Sequence, residues 1–406
     1  MSRFPESLRS LRHRNFRLFL GGQLVSLVGT WMQSVALSWL VYRLTGRATL
    51  LGIVVLATQG PIVLFGSLGG VLADRVDPRR LLVFTQAAQL VQALLLAYLT
   101  LTGRIQVWHI LALAAGLGLA NAFDLPGRQV LVAQTVDRDH LPNAIALNSS
   151  IFHGTRVLGP AIAGMMVAAL GEGWCFLANA VSFLAAIAGL MLMRLPAWTE
   201  RHDHPPVFAH LLEGVRFVRG HRRVRLLLVL LGAVCLMGMP YTVLMPIFAD
   251  GILHGGPRAM GLLMAASGTG AVAGAILLAG RRRIRGLERI AYLGAGAVGL
   301  MLACFAYSRV FWLSALLMVP VGLSMVAHMT SNNTLVQMLI PDEMRGRVMA
   351  FHAMVFTAAM PLGAVLEGFA AHRLGAPLAV ALGGLGCLIG AGLFAWRYPA
   401  PDAQAH

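Results

Sequence analysis

A short arginine-rich turn between two long apolar runs is the feature that most restricts how this chain can fold. The turn, residues 69–80, reads GGVLADRVDPRR, and residues 50–72 and 81–102 carry no charged side chain. Each apolar run exceeds the roughly 20 residues that an α-helix needs to cross the hydrocarbon core of a bilayer. The charged part of the turn must therefore lie in water at one membrane face, between two spanning helices.

The composition of the whole chain favours a membrane protein. Of its 406 residues, 58% are hydrophobic and 12% are charged, and the mean hydropathy is +0.74. Soluble domains carry about 25% charged residues, so this chain lacks the polar surface that a water-soluble protein of its length needs. Its net charge of +16 comes from arginines in separated clusters between apolar runs. That pattern argues against nucleic-acid binding.

Sequence patterns typical of enzymes are missing. The chain has no GxxxxGK[ST] phosphate loop, no lysine, no CxxC or Cys/His metal spacing and no Ser/His/Asp set. We therefore expect no enzymatic activity, no cofactor and no bound metal. Without a nucleotide site, any uphill transport must draw on an ion gradient, most simply protons.

Twelve apolar runs predict an all-α membrane protein with twelve transmembrane helices. Glycine, proline or charged residues separate most of the runs. The predicted spans fall near residues 16–42, 49–72, 80–102, 107–133, 142–170, 174–193, 225–249, 259–280, 289–307, 311–338, 347–371 and 376–397.

The distribution of arginine predicts the orientation in the membrane. Cytoplasmic loops carry the excess of basic residues. Most of the arginines, including Arg128 and Arg138 near the end of span 4, fall in alternate segments that we assign to the cytoplasm, together with both termini. We therefore expect a multi-pass protein of the inner (plasma) membrane. The segments assigned to the opposite face hold Arg43, Arg47, Arg104, Arg258, Arg309 and Arg373.

The chain reads as two halves joined by a linker. We expect an N-terminal six-helix bundle over residues 1–193, a cytoplasmic linker with a short amphipathic helix over 194–224, and a C-terminal six-helix bundle with a short tail over 225–406. An offset of half the chain aligns Gln134 with Gln337 and Asp139 with Asp342. Duplicated six-helix halves, related by an axis along the membrane normal, are a known transporter design.

These features resemble the major facilitator superfamily over nearly the whole chain. Three stretches resemble one branch of the superfamily, the transmembrane secretion effector type, which includes the enterobactin exporter and macrolide-efflux proteins. These stretches are Arg14–Arg17, Trp39–Gly46 and Leu141–Asn148. The arginine motif that many proton antiporters carry in span 4 is missing. The turn matches the superfamily's signature loop at Gly70, Leu72, Ala73, Asp74, Arg75 and Arg79, and Asp77 stands where a second glycine is usual.

The resemblance implies a set of gating residues. Asp74 would bind a helix N-terminus or an arginine when the inner gate is shut. Gly159 and Pro160 resemble part of the antiporter motif, and they would bend span 5 and allow close helix contact. The gating set that we predict is Gly70, Asp74, Arg75, Arg79, Arg80, Gly159 and Pro160.

Two charged residues in the spans are the main candidates for substrate and coupling chemistry. Charged side chains at membrane depth are costly, and they mark functional sites by default. Asp124 is a proton site, a partner of Arg156, or a group exposed to inner water. Arg156 is a contact for an anionic or polar substrate, or one half of an ion pair that only locks helices.

Four further residues are candidates with structural alternatives. His328 either faces the cavity, which helices 1, 4, 7 and 10 line in the superfamily, or makes a helix contact. Glu367 has either a coupling or substrate role, or lies at the interface as a plain acid. Gln33 and Asn332 either orient a ligand in an apolar pocket or form hydrogen bonds between helices.

Together, these observations predict a proton-coupled exporter of an amphipathic small molecule, such as a siderophore or drug, that works by alternating access. Its partners would be the substrate, protons and membrane lipids, and the protein would be a monomer. An uptake permease of the same fold and a non-transporting membrane sensor or scaffold remain as alternatives.

Overall fold

The computed structural model describes residues 6–195, 207–280 and 286–398, and these ranges form helices joined by short connections. Residues 196–206 of the predicted linker and the tail beyond 398 lie outside them. Within the described ranges, twelve helices are long and apolar enough to span a membrane, which confirms the predicted number and fold class. They are α1 (Arg14–Thr45), α2 (Ala48–Arg75), α3 (Pro78–Leu101), α4 (Val107–Gln134), α5 (Leu141–Leu170), α6 (Glu172–Met191), α8 (Arg222–Ile252), α9 (Gly256–Ala279), α10 (Leu287–Tyr307), α11 (Phe311–Leu339), α12 (Asp342–Leu374) and α13 (Ala376–Arg397).

Three shorter helices complete the described part of the chain. The 3₁₀ helix Glu6–Arg12 precedes α1, and the 3₁₀ turn Arg138–His140 joins α4 to α5. Helix α7 (Val207–Gly220) lies in the segment for which the sequence predicts an amphipathic helix. Its Glu213 forms a 2.7 Å ion pair with Arg347 of α12.

Local sequence signals explain where the first helices begin and end. Gly46 adopts the left-handed conformation after α1, with φ of 62°, and its N–H donates to the carbonyl oxygen of Tyr42 at 2.7 Å. Glycine suits this position because it has no Cβ. Asp77 caps α3 by accepting from the N–H of Arg79 at 2.9 Å, and Pro78 follows at the first helical position.

Helix α8 is irregular in the second half of its span, around the prolines that predict a kink there. An α-helix from Arg222 to Ala233 passes through π-helical and 3₁₀ turns before it ends at Ile252. Pro240 begins the 3₁₀ segment, and Pro246 follows it. Proline removes a backbone donor and clashes with the preceding turn, so the regular hydrogen-bond ladder breaks here.

The chain forms two compact units. Unit 1 contains Met1–His204 and Met245–Gly268, and unit 2 contains Pro205–Leu244 and Thr269–His406. The duplicated halves with boundaries at residues 193 and 225 stay a prediction.

Small residues allow close helix packing inside unit 1. A Cβ placed on Gly69 of α2 or on Gly118 of α4 would collide with backbone carbonyl groups of the facing helix, those of Ala122 and Thr58 respectively. The two helices can therefore approach only because glycine has no side chain. Such contacts are typical of helix packing in membranes, where apolar burial gives little drive.

Large apolar side chains cover much of the outer surface. Phe84 of α3, Trp312 and Leu316 of α11 and Trp396 of α13 are each at least two-thirds exposed. An apolar exterior of this extent suits a surface in contact with lipid.

Candidate functional site

A buried carboxylate forms the centre of a polar network in unit 1. Asp124, on α4, is completely buried. Its Oδ1 accepts hydrogen bonds from Thr85 Oγ1 and Gln86 Nε2 of α3, both at 2.8 Å. Both donors are themselves buried. Helix α3 therefore supplies two neutral donors to an acid that the apolar surroundings could not otherwise accommodate.

Arg128 supplies the positive charge for this acid. It lies one helical turn after Asp124 on α4, and its Nε donates to Asp124 Oδ2. One of its terminal nitrogens donates to Gln23 Oε1 of α1. The Arg128 side chain is 18% exposed and that of Asp124 only 1%. The network thus joins three helices, and its arginine reaches further toward the surface than its acid.

This arrangement can hold or exchange charge. A pair four residues apart on one helix separates by side-chain rotation alone, without movement of the backbone. Once released, the guanidinium can bind an anionic or polar group, and the carboxylate can accept a proton. Either change leaves the other partner without its counter-charge in a buried setting.

Arg156 lies elsewhere, and it is not the partner of Asp124. It projects from α5, and its guanidinium carbon lies 5.9 Å from the centre of the Trp31 ring of α1. Among residues 6–195, 207–280 and 286–398 no carboxylate forms an ion pair with it. Its described partner is thus an aromatic face, which leaves its hydrogen-bond donors available for a polar ligand.

Gln33 forms part of a second buried chain of hydrogen bonds. Its Nε2 donates to Gln92 Oε1 of α3 at 3.1 Å, and its Oε1 accepts from Asn179 Nδ2 of α6 at 2.8 Å. All three side chains are buried. These contacts favour the alternative in which Gln33 bonds helices to each other.

In unit 2, His328 and Asn332 contact the backbone of neighbouring helices. His328 is completely buried, and its Nδ1 lies 2.8 Å from the carbonyl oxygen of Ala291 on α10. Asn332 Nδ2 donates to the carbonyl oxygen of Leu227 on α8 at 2.8 Å. In the described part of the chain, His328 Nε2 and Asn332 Oδ1 are buried atoms with no hydrogen-bond partner. Both residues therefore make helix contacts and keep one polar atom unsatisfied.

Glu367 is an isolated buried acid. It lies on α12 with 8% of its surface exposed, and its Oε1 finds no hydrogen-bond partner among the described residues. Burying an ionised carboxylate without donors is expensive. The setting therefore suits a neutral, protonated side chain better than a charged one.

A small cavity opens at the other end of α1. It has a volume of about 280 Å³, and Tyr42 OH donates to Asp250 Oδ2 at 3.2 Å beside it. The adjacent Arg43 pairs with Glu172 at 2.7 Å. At 1.5 Å per residue, Gln23 and Arg43 lie about 30 Å apart along α1. The cavity is therefore separate from the Asp124 network. Its lining consists of Trp39, Tyr42, Arg43, Gly46 and Asp250.

Comparison with known proteins decides what kind of molecule carries this network. A model of the transmembrane secretion effector family matches residues 6–406. The chain belongs to this family. It is a multi-pass membrane transporter of the major facilitator superfamily, and not an enzyme.

Characterised relatives of the transporter are similar over most of their length. A staphyloferrin A transporter of Staphylococcus aureus is 24% identical over 360 residues, covering 88% of this chain and 90% of the relative. Macrolide efflux protein A of Streptococcus pyogenes is 22% identical over 367 residues, with coverage of 89% and 90%. An enterobactin exporter of Escherichia coli is 25% identical over 381 residues, with coverage of 93% and 90%.

Solved structures share the fold. The nucleoside transporter NupG superposes with a TM-score of 0.73 at 14% identity, over 97% of this chain and 100% of its own. A bacterial homologue of the lysosomal transporter Spinster, in an inward-facing and unoccupied conformation, gives 0.72 at 13% identity, with coverage of 94% and 96%.

The signature loop of the transporter is tightly organised. Asp77 caps α3 and lies 3.7 Å from Arg80 Nε. A terminal nitrogen of Arg79 donates to the carbonyl oxygen of Met191, at the end of α6, at 2.5 Å. Asp74 is half-buried near the end of α2 and also has a partner, whereas Arg75 is exposed. The hydrogen bond from Arg79 thus attaches the start of α3 to the end of α6.

The glycines of the predicted gate differ in their surroundings. A Cβ on Gly70 would meet nothing within 4 Å, whereas its neighbour Gly69 faces the backbone of α4. Gly159 of α5 packs closely against α1, and a Cβ at this position would collide with Trp31. Pro160 follows it and is buried inside the same helix. Close contacts are therefore made at Gly159 and at Gly69, which precedes Gly70 and lies outside the predicted gating set.

Arg128, Thr85 and Gln86 are the residues that we did not predict. We used Arg128 only as one of the arginines that indicate the cytoplasmic end of span 4. It follows Asp124 by four residues, however, which is the spacing of an ion pair on one helix. Thr85 and Gln86 lie on a different helix, and nothing in the sequence indicates that α3 turns them toward Asp124.

Proposed function

We propose that this transporter exports an amphipathic small molecule of the siderophore or drug class in exchange for protons, by alternating access. The names of three relatives refer to a siderophore transporter, a siderophore exporter and a macrolide efflux protein. The Asp124–Arg128 pair is the observation that carries the coupling part of the proposal. It is a buried charge pair that can be opened by a proton.

The coupling step follows from charge balance within the membrane. When Asp124 is ionised, Asp124 and Gln23 hold the Arg128 side chain in place, and substrate can bind. A proton on Asp124 cancels its negative charge, so that Asp124 no longer holds Arg128 and no longer offers a carboxylate to the substrate. Because proton and substrate act on the same pair in opposite directions, occupation by one lowers the affinity for the other.

The proposed substrate contacts are other polar side chains within the spans. Arg156, with its ring contact to Trp31, offers a cationic and aromatic surface for a polar or anionic group. His328 and Asn332 present buried polar atoms, and Glu367 provides a second carboxyl group. We assign Arg156 first as a substrate contact, because charged side chains at membrane depth are costly and mark functional sites by default.

In the proposed orientation, the protein lies in the inner membrane with both termini and the signature loop in the cytoplasm. The excess of arginine in those segments supports it. In this orientation Asp74, Arg75, Arg79 and Arg80 form the inner gate, and the protein works as a monomer. Reporter fusions at residues 74–80 that report a periplasmic position would overturn this assignment.

Proteoliposomes containing the purified transporter test the proposal. We expect an imposed pH gradient to drive accumulation of a fluorescent macrolide or of a siderophore, and Asp124→Asn to abolish accumulation while counterflow persists. Asp342→Asn is the matched control, because the Asp342 side chain is 84% exposed in a pair with Arg345. Accumulation that survives Asp124→Asn would contradict coupling at this carboxylate.

Two alternatives give different outcomes in transport assays. An uptake permease would accumulate substrate in right-side-out vesicles and not in everted ones. A sensor or scaffold would show no counterflow with any compound of either class.

A further inference from the structure

We propose that His13, Asp137 and His140 form a binding site for a divalent transition metal ion of the zinc type. His13 Nε2 lies 2.8 Å from His140 Nδ1 and 3.7 Å from Asp137 Oδ2. All three ligand atoms lie within 4.8 Å of one another. An ion placed among them can contact two imidazole nitrogens and one carboxylate oxygen at the same time.

Hydrogen bonds around Ser10 hold the two imidazoles in position. Ser10 is buried, and its Oγ lies 3.0 Å from the carbonyl oxygen of His140 and 2.7 Å from Asn143 Oδ1. Its N–H donates to the same Asn143 oxygen at 3.0 Å. The segment before α1 is thereby fixed against the start of α5. The ligands come from two distant parts of the sequence, yet their approach does not depend on an ion.

The required adjustment of the two rings is small. Zinc–nitrogen bonds of about 2.0–2.1 Å in a tetrahedral site place two ligand nitrogens about 3.3 Å apart. The present separation of 2.8 Å is that of a hydrogen bond between the rings. A metal ion would take the place of the shared proton, and the rings would separate by about half an ångström.

The donor set selects the type of ion. Two imidazoles and a carboxylate suit zinc and its neighbours in the first transition row, and a water molecule can fill a fourth position. Mg²⁺ and Ca²⁺ prefer oxygen ligands and rely on several carboxylates. Exposed Arg12 and Arg14 flank His13. Their charge disfavours every cation, so only an ion with strong bonds to imidazole can bind.

Such an ion would add a further link between the segment before α1 and the connection from α4 to α5, beside the hydrogen bonds of Ser10. His13 immediately precedes α1, whereas Asp137 and His140 lie in the connection from α4 to α5. Because a ligand that binds only the folded state stabilises it, metal binding should stabilise unit 1. None of the three ligands belongs to the proposed substrate or coupling residues, and the site does not depend on the proposed direction of transport.

Metal binding to the full-length protein, purified in detergent with a tag that lacks histidine, tests the site. After chelator treatment, equilibrium dialysis against Zn²⁺ should give one tightly bound ion per chain, and millimolar Mg²⁺ or Ca²⁺ should not displace it. Co²⁺ should give the visible absorption of a tetrahedral complex. We expect His13→Gln, His140→Gln and Asp137→Asn each to weaken binding by at least about tenfold.

His221→Gln is the matched control, since His221 is exposed at the start of α8 and is not one of the three ligands. It should leave both the stoichiometry and the affinity unchanged. Asp137 has a side chain that is 80% exposed, so Asp137→Asn should fold even if the histidine variants do not. The proposal is wrong if no saturable zinc site exists, or if Asp137→Asn and His140→Gln bind zinc as the unmodified protein does.

Discussion

Asp124 and Arg128 lie one turn apart on α4, and the guanidinium Nε of Arg128 donates to the Oδ2 of its neighbour. Asp124 also accepts hydrogen bonds from Thr85 and Gln86 of α3, and Arg128 donates one to Gln23 of α1. The two charges therefore belong to one helix, while their neutral partners belong to two others. Proton binding to the acid would loosen contacts among these three helices, α1, α3 and α4.

The first prediction concerns the stability of this pair. Arg128→Ala should lower the free energy of unfolding by about 3–5 kcal/mol, because it leaves a buried carboxylate without its counter-charge. The double variant Asp124→Asn with Arg128→Gln should recover much of that loss, since two amides can hydrogen-bond without net charge. Reversible denaturation in mixed micelles measures both.

Transport separates the structural role of the pair from its coupling role. The double variant should fold well yet fail to accumulate substrate against a gradient. Equal destabilisation by the single and double variants would show that the charge of Asp124 is not balanced by Arg128.

The sequence predicts much of the fold for a simple physical reason. Spanning helices need long apolar runs, and the bilayer sets their length, so hydropathy alone locates all twelve. The irregular course of α8 was not predicted in detail, because prolines indicate a break but not which of the π-helical or 3₁₀ turns replaces the lost bonds. Caps such as Asp77 could be read directly from local sequence.

The candidate site was less predictable, because its contacts join helices that are distant in the sequence. Asp124 is identifiable as a charge at membrane depth, but its partners on α3 depend on how the helices rotate about their axes. Arg156 was an open alternative as the partner, and the structure places it against Trp31 instead. Hydropathy does not contain that rotation.

The second prediction distinguishes two adjacent glycines in the signature segment. Gly69→Ala should destabilise the protein by about 1–3 kcal/mol, because the added methyl group meets the backbone of α4 and forces the helices apart. Gly70→Ala should be close to neutral for stability, since nothing lies within 4 Å of its Cβ position. Thermal unfolding of the two variants in the same detergent makes the comparison. Equal melting temperatures would contradict close packing at Gly69.

The third prediction concerns the acid that replaces a glycine in the loop. Asp77→Ala should cost about 1 kcal/mol, because the N–H of Arg79 loses the side chain that caps α3. Asp77→Asn should retain most of the stability, as asparagine caps helices about as well. Chemical denaturation of the two variants measures the difference. If the asparagine variant is as unstable as the alanine variant, the charge toward Arg80 matters more than the cap.

The fourth prediction addresses whether Gln33 contacts substrate or holds helices together. Both its nitrogen and its oxygen form hydrogen bonds, to Gln92 and Asn179, two buried groups that would lose their partner in Gln33→Ala. Leaving buried polar atoms unsatisfied costs about 1–3 kcal/mol, so we expect a lower melting temperature. The KM for export should stay within about twofold of the unmodified value, because a side chain that does not contact the substrate contributes no binding energy, and a tenfold change would need a loss of about 1.4 kcal/mol. Gln59→Ala on α2, which lies outside this hydrogen-bonded chain, is the matched control and should change neither quantity by much. A KM that rises tenfold with an unchanged melting temperature would instead place Gln33 in contact with the transported molecule.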